Sequence, residues 1–431
     1  MSLLSFFKKL EPDKAKSPFL HTVYDGFFTF LFVPNHVTPK KGVQIRDRMD
    51  LKRLMVFVVL ALLGAYAFGA YNIGHQHFSA LGVFPELGQG FHLKLAHGLI
   101  KVIPLLVVSM AVGLGIEFYY ASKRGHGIEE GFLVSGALIP LLMPPDIDLW
   151  IVAVAVTFAV ILGKEVFGGT GMNVLNVALL TRVFIFFAYP TYISGDSVWV
   201  SDIEKAATGL VGASYGMGHH FFDSIFGALG WTTFGEGGRA VVNGFTGATP
   251  LSLAAKGGWE AVTAVYSPSQ MWWGMIPGSI GETTKPLIIL GGLFLILTRV
   301  ASWRIIVGVL LGASFMGLIF NGLAPAELTA DTAGVLKFMA VPWYFHIYMG
   351  GMLFAMFFMA TDPVTAASTQ KGKWIYGFLI GAIAIIIRVV NPAYPEGWML
   401  AILLLNVFAP LIDYFVVENN MKRRKKRIAT N

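Results

Sequence analysis

The sequence predicts an all-α membrane protein with about ten transmembrane helices, since runs of roughly 17–25 apolar residues mark membrane spans. Its composition supports this class, because 55% of the 431 residues are apolar and only 13% are charged. A water-facing surface normally carries more charge, so a soluble globular domain is disfavoured. The predicted spans begin near Leu54, Leu95, Gly131, Leu149, Val174, Leu287, Ile305, Tyr344, Trp374 and Met399.

Several of these runs are too short or too interrupted to be simple spans. The run 131–143 covers about half a bilayer and ends at Pro144 and Pro145. The first span begins after some fifty residues, so it does not have the form of a cleavable signal peptide.

The positive charge is concentrated before the first span and after the last one, and the formal net charge is +7. Because basic flanks stay cytoplasmic, we expect both termini inside, an even number of spans and a multi-pass protein of the bacterial inner membrane. Arg388, at the outer end of the ninth predicted span, is an exception to this rule. A basic tail beside a span fits the lipid bilayer, and no nucleic-acid partner is expected.

The chain contains no cysteine, so it cannot supply the thiolates that hold iron–sulfur clusters. Its ten histidines are scattered, with His219 and His220 in a polar loop, and they form no convincing pair of haem ligands. We therefore predict no metal site. If the chain handles electrons, an organic cofactor is the expected carrier.

The polarity pattern divides the chain into five segments. They are a cytoplasmic segment 1–52, a first membrane half 53–189, an outer-face loop region 190–282, a second membrane half 283–417 and a basic cytoplasmic tail 418–431. Polar turns at 164–173 and 360–366 suggest a weak repeat. With five spans per half the repeat would be inverted, and such repeats use broken helices to place ligand sites near the midplane. Segment 1–52 either lies along the membrane surface or is a loosely ordered tail.

Thr249 ends the run 244–249 in the long polar stretch between the two halves. Five predicted spans precede this stretch, so it is expected on the face opposite the termini. A Thr hydroxyl after small residues could carry a covalent group there, and an ordinary turn is the alternative. Residues 203–243 form a connection long enough to be either functional or disordered.

Eight runs, in order along most of the chain, together resemble the NqrB subunit of the Na+-translocating NADH:quinone oxidoreductase, within the NqrB/RnfD family. None of the runs would be specific alone. They are 50–53, 164–173, 187–190, 193–196, 276–282, 301–306, 357–363 and 388–397.

The resemblance implies two flavins. The residue matching Thr249 carries covalent FMN through a phosphoester, although the family usually has Asp where this chain has Asn243. The asparagines matching Asn173 and Asn176 lie at a non-covalent riboflavin, beside the turn that contains Gly169. Amides both donate and accept hydrogen bonds, which suits the edge of a flavin ring. Without the family, a helix break would explain this glycine-rich turn.

The resemblance also implies a quinone region and a Na+ pathway. Gly113 and Glu117 match the region where quinone-site inhibitors act. Asp25, Asp362 and Asp413 match acids with suggested roles in Na+ transport, and carboxylates are suitable ligands for a hard cation. Each acid could instead be an interfacial anchor or an ion-pair partner.

The implied function is electron transfer from FMN through riboflavin to quinone, coupled to Na+ translocation. The implied partners are the other members of a complex of six Nqr subunits, especially its FMN-carrying member, NqrC. Three alternatives remain: an electron carrier of the RnfD type, a flavin-free transporter or channel, and a structural scaffold for flavin subunits.

Overall fold

The fold is described by a computed structural model for residues 7–13, 17–31, 51–82, 84–124, 131–196, 198–205, 240–242, 247–325, 332–391 and 396–430, and it is almost entirely helical. The predicted all-α class is confirmed. The first eight helices are α1 (Pro18–Leu31), α2 (Leu51–Leu81), α3 (Phe91–Arg124), α4 (Phe132–Leu141), α5 (Leu149–Gly163), α6 (Val177–Ala188), α7 (Pro250–Thr263) and α8 (Pro268–Trp273). The rest are α9 (Lys285–Leu297), α10 (Trp303–Leu323), α11 (Gly334–Met339), α12 (Phe345–Tyr348), α13 (Met352–Phe354), α14 (Gln370–Val390) and α15 (Trp398–Thr430).

A small parallel strand pair is the exception to the helical fold within the described residues. Strand β1 (Ile203–Lys205) pairs with β2 (Ala240–Val242). Residues 206–239 and 243–246, which include Asn243 and most of the predicted long loop, lie outside the described part of the chain.

Six helices in the described ranges are long and apolar enough to cross a membrane, namely α2, α3, α5, α10, α14 and α15. Three shorter apolar helices, α4, α6 and α9, correspond to further predicted spans. The span predicted near Tyr344 is instead divided into α12, α13 and a π-helix (Ala355–Met359). The break falls at Gly350, whose φ of 68° is left-handed and strains most other residues.

The long helices present apolar side chains to their surroundings. Leu60, Leu63 and Val107 on α2 and α3, and Leu311 and Phe315 on α10, are exposed. An apolar outer face is unfavourable in water and suits the hydrocarbon of a bilayer, where helices satisfy their own backbone groups.

Inside the bundle, α10 and α14 approach closely through small residues. A Cβ added at Gly312 would overlap the carbonyl of Phe378, and one added at Gly381 would overlap the carbonyl of Val309. Small residues of this kind let membrane helices bring their backbones into van der Waals contact. This contact fixes one wall of the second membrane half.

The two polar turns at 164–173 and 360–366 lie near each other. The amide of Asn176, just after the first turn, donates to Asp362 Oδ2 in the second turn over 3.4 Å. This proximity joins the two halves of the bundle at one end. The inverted repeat itself stays a prediction.

We predict that Gly98→Ala prevents stable folding, because the added Cβ would overlap the carbonyl of Ala70 where α3 crosses α2. Overpacking typically costs about 1–3 kcal/mol and occasionally more. Gly115→Ala, in the same helix with open space at that position, is the matched control and should be neutral or stabilising. Thermal unfolding in detergent, followed by size-exclusion chromatography, measures both; a wild-type midpoint for Gly98→Ala would contradict this packing.

Candidate functional site

Thr249 stands at the N-terminus of α7. Its Oγ1 accepts a hydrogen bond from the backbone N–H of Ser252 over 3.2 Å, so it is the N-cap of the helix. Pro250 follows at the first helical position, where its fixed φ and missing N–H are tolerated. The unsatisfied N–H groups and the dipole of such a terminus favour a negatively charged group.

The same hydroxyl-bearing residue lines a cavity of about 460 Å³, which we call the Thr249 cavity. Ligand pockets commonly have volumes of about 300–1,000 Å³ with mostly apolar walls and a few polar groups. Aromatic and aliphatic walls and buried charges meet here. Among its lining residues are Arg182, Phe186, Ile193, Asp196, Trp199, Thr249, Leu251, Lys256, Ile276, Ser279, Glu282, Lys285 and Glu396.

Asp196 connects the rim of the Thr249 cavity to α7. Its carboxylate accepts from Ser252 Oγ and forms an ion pair with Lys256, both over 2.8 Å. The backbone carbonyl of Asp196 packs against Gly247, where a Cβ would overlap it. This close contact explains a small residue two positions before Thr249.

Tyr266 holds the backbone beside Thr249. Its hydroxyl donates to the carbonyl of Ala248 over 2.9 Å. Burial, and to a smaller extent the negative charge of Asp196, raises the pKa of Tyr266 to about 12. The hydroxyl therefore stays protonated and able to donate at physiological pH.

Arg182 forms the floor of the cavity together with two glutamates. It donates to Glu282 over 2.8 Å and to Glu396 over 2.6 Å, and its guanidinium lies 5.3 Å from the ring centroid of Trp398. The carboxylate of Glu282 also accepts from the Ser279 hydroxyl. Because a buried charge is costly unless it is paired, this cluster fixes α6, the segment before α9 and the start of α15 relative to one another.

Two further cations lie behind this floor. Lys285 is buried and donates to the carbonyls of Glu282 over 2.8 Å and Gly350 over 3.3 Å. Arg388 is also buried and donates to the carbonyls of His346 and Glu396. The side chain of Arg388 thus points into the protein, which gives a structural reason for its exception to the predicted charge rule.

The predicted quinone region lies around Glu117 on α3. Glu117 Oε1 accepts from Lys164 Nζ over 2.8 Å and from Thr170 Oγ1 over 2.9 Å, and the Glu117–Lys164 pair is buried. Its Oε2 is buried without a hydrogen-bond partner in the described part of the chain. Gly113 lies one turn earlier, packed so closely on the Phe132 ring that a Cβ would overlap it.

The turn that contains Gly169 connects this region to the predicted riboflavin residues. Gly169 has a left-handed φ of 101° and faces the Arg124–Glu165 ion pair, whose atoms lie 3.1 Å apart. Asn173 donates to the carbonyl of Leu175 over 3.3 Å. Glu117 contacts this turn through Thr170, so the predicted quinone and riboflavin residues occupy one end of the bundle.

Asn176 joins this region to one of the predicted acids. Its side-chain oxygen caps α6 by accepting from Leu179 N over 3.2 Å, while its amide group donates to Asp362. Asp362 also accepts from Val364 N and Thr365 Oγ1, each over 3.1 Å. Its known contacts are therefore with amide and hydroxyl groups.

The other two acids occupy different environments. Asp413 accepts from the backbone N–H groups of Ser368 and Thr369 and from the Thr369 hydroxyl, so it caps the start of α14. Asp25 is exposed on α1. The structure brings Asp362 to the predicted riboflavin residues and does not bring the three acids into one cluster.

One polar cluster was missed by sequence reasoning. Ligand atoms of His77, His97 and Asp202 lie within 4.8 Å of one another, although no metal site was predicted. The ammonium of Lys101 already lies 2.9 Å from Asp202 and 3.2 Å from Asp146, so a cation is present among these carboxylates. The spacing of Lys94, His97 and Lys101 along one helical face was the available signal.

Helices able to cross a bilayer, with charged clusters buried between them, define a multi-pass membrane protein. Residues 38–422 match the NQR2, RnfD, RnfE family, and the chain belongs to this family. The resemblance inferred from the sequence motifs is thereby confirmed.

Relatives of similar length support the same assignment. The chain is 40% identical to the B-type subunit of the Na(+)-translocating NADH-quinone reductase of Chromohalobacter salexigens, covering 100% of this chain and 97% of the relative. It is 41% identical to the protein of that name from Pseudomonas aeruginosa, covering 94% of each. It is 39% identical to that from Pseudoalteromonas atlantica, covering 99% and 100%.

We predict that Glu117→Gln destabilises the protein by about 3–5 kcal/mol, as is typical when one partner of a buried ion pair is removed. The double variant Glu117→Gln, Lys164→Gln should recover part of that loss, because no buried ammonium then lacks its carboxylate. A double-mutant cycle of thermal stabilities measures the coupling.

The control for this cycle is Glu418→Gln. Its ion pair with Lys422 lies on the surface of α15, where such pairs contribute about 0–1 kcal/mol. Additive effects of the Glu117 and Lys164 substitutions would contradict the pairing.

Proposed function

We propose that this chain is the NqrB membrane subunit of a Na+-translocating NADH-quinone reductase and that Thr249 carries FMN through a phosphoester bond. The observation that carries the proposal is the position of Thr249 at the mouth of a cavity, on a helix N-terminus. The names of the full-length relatives support the same complex. Covalent FMN would supply one- and two-electron redox chemistry at this place.

The residues present fit such a group. The Thr249 cavity is of suitable volume, about 460 Å³, and Phe186, Trp199 and Ile276 offer apolar surfaces for a flat ring. The terminus of α7 favours a phosphate. Small residues at Gly247 and Ala248 leave space beside the hydroxyl, which a separate transferase must use because a neutral Thr hydroxyl is a weak nucleophile.

The second proposed site is the turn region at the opposite end. Gly169, Asn173 and Asn176 are the proposed riboflavin residues, and Gly113 and Glu117 mark the proposed quinone region. The contact from Glu117 through Thr170 to the turn supports placing both ligands at one end of the bundle. The proposed electron path runs from the Thr249 cavity to this end.

The proposed setting follows from the charge pattern. Both termini lie in the cytoplasm of a bacterium, the outer-face region 190–282 carries Thr249, and segments 1–52, 53–189, 283–417 and 418–431 keep their predicted roles. The other Nqr subunits, including the FMN-carrying NqrC, are the proposed partners in a complex of six. The family also includes RnfD, so ferredoxin-driven instead of NADH-driven reduction in the native complex would favour an Rnf-type role.

The three acids proposed for the Na+ pathway differ in what their contacts support. Asp362 is the strongest candidate, because its hydroxyl and amide partners do not neutralise its charge and a hard cation prefers oxygen ligands. The contacts of Asp413 support helix capping. Asp25 stays a proposal on the resemblance alone.

We predict that Thr249→Ala abolishes covalent flavin, because the hydroxyl that forms the ester is lost, while Thr249→Ser retains it. Ser252→Ala, which removes a neighbouring hydroxyl on the same cavity, should also retain it. Mass spectrometry of the peptide containing Thr249, and flavin fluorescence of the denatured chain, measure attachment. An unmodified peptide from the native complex would refute the proposal and revive a flavin-free transporter.

If Thr249→Ala lost the flavin but left quinone reduction intact, a scaffold role would replace the proposed electron path. This outcome is separate from the question of attachment, so quinone reductase activity is measured on the same preparations.

We predict that Asp362→Ala raises the Na+ concentration for half-maximal activity by about tenfold or more, corresponding to about 1.4 kcal/mol of binding free energy. Asp413→Ala should leave this concentration unchanged and lower thermal stability by about 1 kcal/mol through loss of the cap. Na+ titrations of quinone reduction, with thermal unfolding of both variants, make the comparison. The opposite pattern would assign the Na+ role to Asp413.

A further inference from the structure

The charges at the base of the Thr249 cavity do not balance. Three buried or nearly buried cations, Arg182, Lys285 and Arg388, face two carboxylates, Glu282 and Glu396. At the rim, Asp196 and Lys256 neutralise each other. The cluster of these five groups therefore carries one excess positive charge, and an uncompensated buried charge is costly to retain.

Lys285 is the member whose hydrogen bonds leave room for a ligand. An ammonium has three N–H donors, and here two of them go to the backbone carbonyls of Glu282 and Gly350. In the described ranges of the chain, Lys285 forms no ion pair with a carboxylate within 4.0 Å. It also lines the cavity, so one donor and most of its charge are available to what the cavity holds.

Reduction of a flavin increases its negative charge. Two electrons and one proton convert the neutral oxidised ring into a reduced ring with one negative charge. In the complex the electrons come from NADH through the partner subunits, and the proton comes from water. A fixed positive charge close to the ring favours the reduced form, and in a water-poor cavity this effect is stronger than in bulk solvent.

We propose that Lys285, supported by Arg182 and Arg388, raises the midpoint potential of the flavin attached at Thr249. This inference rests on the proposed function, because it requires a flavin in the Thr249 cavity. Lys285 is then a positioning and tuning residue, since it sets how readily the ring accepts electrons without entering the chemistry. Glu282 and Glu396 hold Arg182 in place and limit the size of the excess charge.

The test uses two substitutions of opposite charge and a matched control. In the purified complex, Lys285→Met removes a positive charge, and Glu396→Gln removes a negative one while keeping its shape. Lys256→Gln is the control, since Lys256 lines the same cavity but is 66% exposed and paired with Asp196. A spectroelectrochemical titration of the covalent flavin, with dithionite as reductant, gives the midpoint potential of each variant.

We expect Lys285→Met to weaken flavin reduction about tenfold or more, a fall of about 30 mV for a two-electron couple. Glu396→Gln should raise the potential, and Lys256→Gln should shift it much less because water screens exposed charges. A merely structural role would not move the potential in opposite directions for the two charge changes.

Shifts no larger than that of the control, or shifts of the same sign, would overturn the inference. If Lys285→Met does not assemble, the sign and size of the Glu396→Gln shift decide the matter alone. Absence of covalent flavin from the native chain is a different result, because it refutes the attachment at Thr249 and not the tuning by Lys285.

Discussion

The structure depends on keeping buried charges paired in an apolar protein. Arg182 on α6 meets Glu282 before α9 and Glu396 at the start of α15, so one guanidinium joins three separate parts of the chain. In a low-dielectric interior a lone charge would be strongly unfavourable. The pairing requirement therefore positions these elements together, and the Thr249 cavity is the space that they leave above the pair.

The same constraint shapes the opposite end of the bundle. Glu117 and Lys164 are buried together, and Thr170 adds a hydroxyl to the same carboxylate oxygen. The glycine-rich turn is thereby held against α3. Asn176 then extends the contact to Asp362 in the second half, so residues proposed for quinone, riboflavin and Na+ lie along one connected set of polar contacts. A change at one of these ligands has a direct structural route to the others.

The sequence was informative where chemistry is written in local composition. Apolar runs predicted the helical membrane class, and α4 is as short as the run 131–143 indicated. The order of motifs predicted the family that the comparison confirms. The span predicted near Tyr344 is nevertheless divided, because the left-handed Gly350 interrupts it, and hydropathy alone does not register a break between two apolar pieces.

What the sequence determined by itself was the class, the family and the candidate residues, since these depend on residue type and order. Tertiary structure decided which candidates meet: it placed Thr249 on a cavity with Arg182 and Lys285, joined Asn176 to Asp362, and used Asp413 as a cap. It also directed Arg388 inward, against the charge rule. These outcomes depend on contacts between residues far apart in the chain, which periodicity and composition do not encode.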